Sequence, residues 1–312
     1  MDVHVHLYPD PAAGRMAKDR YDIWEYGDDP GVVFSPASGD LAELRATYAG
    51  WDRVVVVHIF DADLAREEAR ARLAPGPAVD EAGVTAAIDE AVGRAMRESN
   101  RWVVGATADD PMLEVLVSVD PTVLSPSEMV AHLEDLAAGG VQGVKLHPVS
   151  QGYVPSDPRL DGVYRTCADA GLVVLSHSGQ GHHGGASARP AEFGPVLERW
   201  PHLRLVLAHL GGAAWTETAA LAEAHPQVVF DLSEIVEWSA SPSAPDPAAL
   251  SALIRWVGAD RVMLGSDFPW YDPGRTADRV LALPGLGTAE RAAVLGGTAY
   301  DVFDLERGAP RP

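Results

Sequence analysis

Arg53-Val54-Val55-Val56-Val57-His58-Ile59-Phe60 is apolar on both faces of an extended chain. A strand with one wet face alternates apolar and polar residues, so a run like this one predicts a strand buried on both sides, as in a parallel sheet covered by helices. Seven more short runs rich in Val, Leu and Ile read the same way: Asp2–His6, Leu113–Val119, Gly143–Leu146, Leu172–Ser176, Arg204–Ala208, Val228–Leu232 and Arg261–Leu264. Helical segments separate them. Ser125-Pro126-Ser127-Glu128 is a capping box with proline at the first helical position, and Gly139-Gly140 stops the helix that it opens. Asp157-Pro158 opens the next helix, to Gly171, followed by Ala191–Arg199, Thr216–Ala224, Pro247–Val257 and Thr288–Phe303. Eight strand–helix units with short returns predict an α/β fold, a (β/α)8 TIM barrel, formed as one domain over residues 1–312.

Two connections are long. Residues 7–50 carry Tyr21, Trp24 and Tyr26 around a Gly/Asp/Pro-rich centre, and residues 61–110 include a helical stretch, Val84–Arg97. Long βα loops lie on the face where barrel enzymes keep their chemistry, so these predict a lid over a pocket. The formal net charge of −21, from 45 acidic against 24 basic residues, speaks against nucleic acid and anionic membrane as partners. No apolar run is long enough to span a bilayer, and the N-terminal residues show no signal region, which predicts a cytoplasmic protein. The single Cys167 excludes an internal disulfide and a cysteine metal cluster; its mid-helix position predicts a packing role.

Four motifs end in metal-ligand chemistry: His4-Val5-His6, Ser176-His177-Ser178-Gly179, Ala208-His209-Leu210-Gly211-Gly212 and Gly265-Ser266-Asp267-Phe268-Pro269. His4 and His6 are two apart on the first strand, so both face one side, the barrel interior. Two imidazoles there are costly without partners, and a metal ion supplies them. His177, His209 and Asp267 each close a different strand, and the glycines and proline beside the last two set them at the rim. Singly, His209 reads equally well as a core histidine bonded to a carbonyl, and Asp267 as a helix cap. Together the set predicts a site for a divalent ion.

These motifs, with Asp2-Val3-His4-Val5-His6, Gly143-Val144-Lys145-Leu146-His147-Pro148 and Gly297-Thr298-Ala299, resemble the amidohydrolase superfamily over nearly the whole chain. The similarity is to the amidohydrolase-2 group that includes aminocarboxymuconate-semialdehyde decarboxylase. The resemblance implies a distorted barrel with one ion, Zn²⁺ first among the choices, bound by His4, His6, His177 and Asp267. It implies that Asp267 takes or passes a proton of the activated water, and that His209 acts as a second base or polarises the substrate carbonyl. It allows a homodimer.

Lys145 has three readings. Some superfamily members carboxylate a lysine on the fourth strand and bridge two metals with it; Lys145 with His147 could instead touch substrate, or Lys145 could pair with an interior carboxylate. His58 ends the second strand and is a further pocket candidate. Arg189, Arg20 and Lys18 are candidates to hold a substrate carboxylate. His182 and His183 fall in a Gly-rich loop and are expected in solvent, as is His132 on its helix. The leading function is hydrolysis of an amide, ester or lactone of a small molecule by metal-activated water. The alternative is a non-oxidative decarboxylase of a small carboxylic acid, which would need a cation to hold the carboxylate. A non-catalytic binding protein on the same barrel is a third reading, opposed by the complete ligand set.

Overall fold

The computed structural model describes residues 1–20, 25–27, 31–72, 81–181, 185–239 and 241–306. Eight parallel strands pair in chain order: β1 Asp2–Val5, β2 Val54–Val57, β3 Leu113–Ser118, β4 Gly143–Leu146, β5 Val173–Ser176, β6 Arg204–Leu207, β7 Val229–Asp231 and β8 Val262–Met263. The run that predicted a doubly covered strand is β2, and all four of its valines are fully buried. Each such side chain contributes about 1.5–3 kcal/mol by leaving water, which is why short strands suffice here.

β1 and β8 close the barrel. Val3 N–H donates to Leu264 O (3.0 Å), Asp267 N–H to His4 O (2.9 Å) and His6 N–H to Phe268 O (2.7 Å). The buried Asp2 carboxylate ties the same seam: Oδ1 accepts from the amides of His4 and Ser266, and Oδ2 accepts from Tyr48 Oη at 2.7 Å. Burial raises this carboxyl to about 6, and those hydrogen bonds hold it from rising further.

The capping box at Ser125 is formed and opens the helix Pro126–Ala137. Gly171 ends the helix Asp161–Ala170 in the left-handed conformation. The expected helix Thr288–Phe303 is interrupted: Gly296 leaves helical geometry between Thr288–Ala292 and Thr298–Val302. The break lets the segment serve the barrel, with the Met1 amino group donating to Leu295 O and Leu264 N–H to Val294 O.

The long connections have more structure than their sequences suggest. Residues 7–50 hold the helices Pro11–Arg20 and Leu41–Thr47; residues 61–110 hold Ala62–Arg72 and a 27-residue helix, Glu81–Thr107, that extends beyond Val84–Arg97 at both ends. Tyr26 is buried, stacked on Trp238 at 5.5 Å. Tyr21, Trp24, His182 and His183 lie outside the described residues. Cys167 is buried and its thiol is raised to about 12 by that burial, as a packing residue should be. His132 is not exposed: it sits against Asn100, whose Nδ2 is 3.2 Å from its Nε2. No described helix is long and apolar enough to cross a membrane.

Candidate active site

A cavity of about 470 Å³ opens at the C-terminal ends of the strands, and His4, His6, Lys145, His147, His177, His209 and Asp267 all line it. Here the backbone departs from ordinary geometry. His209 (φ 62°), Glu234 (φ 64°) and Asp267 (φ 62°) are non-glycine residues in the left-handed region, and all three line the cavity. Such conformations cost of order 1–3 kcal/mol each and persist where the surrounding structure dictates them. At the exit of β6 the left-handed run continues through Leu210, Gly211 and Gly212, which turns the His209 imidazole over the strand ends.

His4 Nδ1 is 3.0 Å from Asp231 Oδ2. A carboxylate there makes Nδ1 the protonated nitrogen and leaves the Nε2 lone pair facing the cavity, 3.0 Å from Lys145 Nζ. His6 Nε2 lies 2.9 Å from Asp267 Oδ1, and His4 Nε2 lies 3.6 Å from the same oxygen. The ligand atoms of His4, His6 and Asp267 fall within 4.8 Å of one another, as do those of His209, Glu234 and Asp267. His177 shares the cavity but stacks on His147 at 4.1 Å between ring centres, with its ring 4.9 Å from that of His209.

His209 Nδ1 is 3.0 Å from the Ser233 carbonyl, an obligate acceptor, so Nδ1 carries the hydrogen and Nε2 is the free base. Burial lowers the His209 imidazole below its ordinary value, against the pull of Asp267 and Asp231. Burial likewise lowers His4 to about 4, with Lys145 adding to the effect, and it holds His147 and His177 well below the usual imidazole range. These four imidazoles are thus neutral, the state in which a ring nitrogen can ligate a metal or accept a proton. Burial pushes Asp231 and Asp267 upward, but neighbouring histidines more than offset it: His4 and His209 with Ser233 for Asp231, and His4, His6 and His209 for Asp267. Both lie below the usual carboxylate range. Lys145 is lowered to about 8 by burial, moderated by Asp231, Asp267 and Glu234.

Other candidates lie elsewhere. Arg189 is not brought to the cavity: its guanidinium forks onto Glu217, because the chain turns there into the Pro190–Phe193 helical turn. His58 turns to Ser99, with Nε2 2.7 Å from its Oγ, and is lowered to about 4 by burial. Lys18 Nζ is spent on the carbonyls of Ser35, Ala37 and Pro269. Arg20 reaches the cavity wall but pairs with Asp61 and Glu67. Sequence reasoning missed Asp231, Ser233, Glu234, Glu25 and Trp270. Only Asp231 carried a signal, a carboxylate at the end of an otherwise apolar strand.

An eight-stranded parallel barrel with buried His and Asp side chains gathered at the C-terminal ends of its strands defines a class of barrel enzymes. Within that class the chain belongs to the amidohydrolase family, whose model matches residues 1–305. No curated protein matches the sequence. Solved structures share the fold at low identity. A protein from Pseudomonas putida designated a 2-pyrone-4,6-dicarboxylic acid hydrolase is 20% identical, with 98% of each chain covered and a TM-score of 0.63. The 5-carboxyvanillate decarboxylase of Sphingomonas paucimobilis is 16% identical, covering 98% of this chain and 99% of that one, TM-score 0.64. The dihydroxybenzoic acid decarboxylase of Polaromonas sp. JS666, 12% identical with 99% and 98% covered and a TM-score of 0.63, holds manganese and 2-nitroresorcinol.

Proposed function

We propose that this protein is a metal-dependent hydrolase that opens an amide, ester or lactone bond of a small molecule. The observation that carries the reading is the pairing of His4 with Asp231, which presents His4 Nε2 to the point where His6 Nε2 and Asp267 also converge. Neutral imidazoles and one ionised carboxylate are a donor set that suits Zn²⁺ and also Mn²⁺, Fe²⁺ or Co²⁺. In this reading His4, His6 and Asp267 hold the ion, with His177 as the fourth ligand. When bound, the ion supplies Lewis acidity to the attacking water and to the scissile carbonyl.

The chain's own groups do the rest. Asp267 accepts the proton of the water, its low affinity for protons at rest having been set by the histidines around it. His209 Nε2 hydrogen-bonds the reacting centre, held in that tautomer by Ser233. Trp270, Ile59 and Val149 give the cavity apolar walls that exclude bulk water. In this reading the 7–50 connection, which brings Glu25 to the cavity, serves as its lid.

Hydrolysis is preferred over decarboxylation because among the described residues the only guanidinium lining the cavity is Arg20, and it is already paired. The second reading, a non-oxidative decarboxylase, keeps one supporting observation: the Lys145 ammonium at the cavity floor can hold a carboxylate. Metal per chain by elemental analysis, on protein purified without chelators, tests the site. About one equivalent supports the proposed ligand set; about two would mean a carboxylated Lys145; none, with activity surviving chelation, would sink the mechanism. Acid release without carbon dioxide marks the hydrolase, and carbon dioxide release marks the decarboxylase.

A further inference from the structure

The upper wall of the cavity is anionic in a way that the hydrolytic chemistry does not use. Arg20 neutralises Asp61, and Arg66 neutralises Asp63, its Nη1 lying 3.0 Å from Asp63 Oδ1. Among the described residues neither Glu25 nor Glu234 pairs with an arginine; the cation that acts on Glu234 is the Lys145 ammonium, shared with Asp231 and Asp267. Glu25 Oε2 accepts the Gln180 amide at 2.8 Å, while Oε1 is buried with no hydrogen-bond partner among the described residues. Glu234 is 6% exposed, and its Oε2 lies 3.9 Å from Nδ1 of the neutral His209. The buried Tyr26 hydroxyl lies against both carboxylates.

The backbone is shaped to receive one of them. A Cβ added at Gly179 would press on the Glu25 carboxylate, 2.6 Å from Oε2, and one added at Gly212 would strike Oε1. Glycine at the exits of β5 and β6 therefore makes room for an acid delivered from the first long connection. Two acids that face one cavity away from bulk water are costly to ionise together, a cost that a bound cation removes.

We propose that Glu25 and Glu234 form an ammonium subsite beside His209, so that the substrate carries a protonated amine or similar organic cation near the bond that is cleaved. This rests on the hydrolytic reading of the site, and it sets the chain apart from neighbours whose names denote carboxylic acids as substrates.

Calorimetric titration of the metal-loaded protein with butylammonium chloride and with 1-butanol, at matched ionic strength, tests the subsite. Butylammonium should bind at least ~10-fold tighter, and Glu25→Gln and Glu234→Gln should each pull that ratio towards one. Equal binding, no butylammonium binding, or a ratio unchanged in both variants overturns it. So does a second equivalent of metal in the wild type that disappears in Glu234→Gln, because the carboxylates would then serve an inorganic cation. Acid release from ethyl 4-aminobutanoate, ethyl pentanoate and monoethyl glutarate separates this inference from the reading beneath it. Selective ammonium binding with no ester hydrolysed leaves the subsite standing and removes the hydrolase. Hydrolysis that favours monoethyl glutarate keeps the hydrolase and removes the subsite.

Discussion

Asp231 shows how one residue sets the chemistry of another. It accepts from His4 Nδ1 and from the amides of His209 and Ser233, so a single buried carboxylate fixes the tautomer of one ring and the backbone of another. Asp231→Asn keeps the volume but offers an amide that no longer demands a proton on Nδ1. Metal affinity should fall about 10–100-fold, read by competition with a chromophoric chelator, with activity falling alongside at limiting metal. An unchanged affinity would show that His4 is oriented by packing alone. His58, which does not line the cavity although His6 adds to its shift, supplies a pH test. Its imidazole is lowered from 6.5 to about 4, so between those values the unfolded chain binds a proton that the folded one refuses. Its contribution is whole above pH 6.5 and is lost as pH falls towards 4. At about 1.4 kcal/mol per pH unit this is about 3 kcal/mol. Urea midpoints of wild type and His58→Gln should therefore diverge on acidification, the wild type losing about that much relative to the variant. Parallel curves would show that His58 titrates normally. At this scale the sequence displayed the four histidines and Asp267, because strand-end motifs mark them locally. It hid Glu25 and Glu234 and showed Asp231 only as a carboxylate ending an apolar strand, because its partner lies far off in sequence: His4 and Asp231 meet across 227 positions.

At the scale of elements, strands were legible because burial on both faces leaves no alternation to confuse. The helices of the long connections were less so, since Ala62–Arg72 is dominated by charge and its packing is decided by the neighbouring helix. What no single element reveals is closure. The β1–β8 seam depends on Asp2, and removing its carboxylate leaves the amides of His4 and Ser266 buried without acceptors. Each such orphan costs about 1–3 kcal/mol, so Asp2→Ala should lose about 2–4 kcal/mol by chemical denaturation. Asp2→Asn retains Oδ1 as acceptor for both amides and should lose distinctly less. Equal losses would assign the effect to charge rather than to the seam. Gly143 is a second constraint on pairing. Any Cβ there would strike the Val173 backbone of the adjacent strand, so Gly143→Ala should be poorly soluble or destabilised, as seen in expression and thermal melts.

For the whole molecule, the barrel and the site set each other's limits. The strands carry the side chains to one end, and the apolar interior makes those buried imidazoles and carboxylates costly unless something binds them. A divalent ion would be part of the fold's stability as well as its chemistry. An ion that binds the folded chain and is present at a thousandfold over its dissociation constant adds about 4 kcal/mol. For a chain of 312 residues a kcal/mol moves the melting temperature by roughly 2 °C, so chelation should lower it by about 8 °C. Readdition of the metal should restore both melting temperature and activity. His4→Ala/His6→Ala, already unable to hold the ion, should melt at one temperature with and without chelator and should be inactive in both. A double variant that still responded to chelation would place the stabilising ion elsewhere, and full activity in that variant would remove the metal from the reaction. The apo wild type reports on the barrel alone: if it keeps a cooperative transition and native near-ultraviolet dichroism, strand packing specifies the fold, and the ion adds to a cavity already formed.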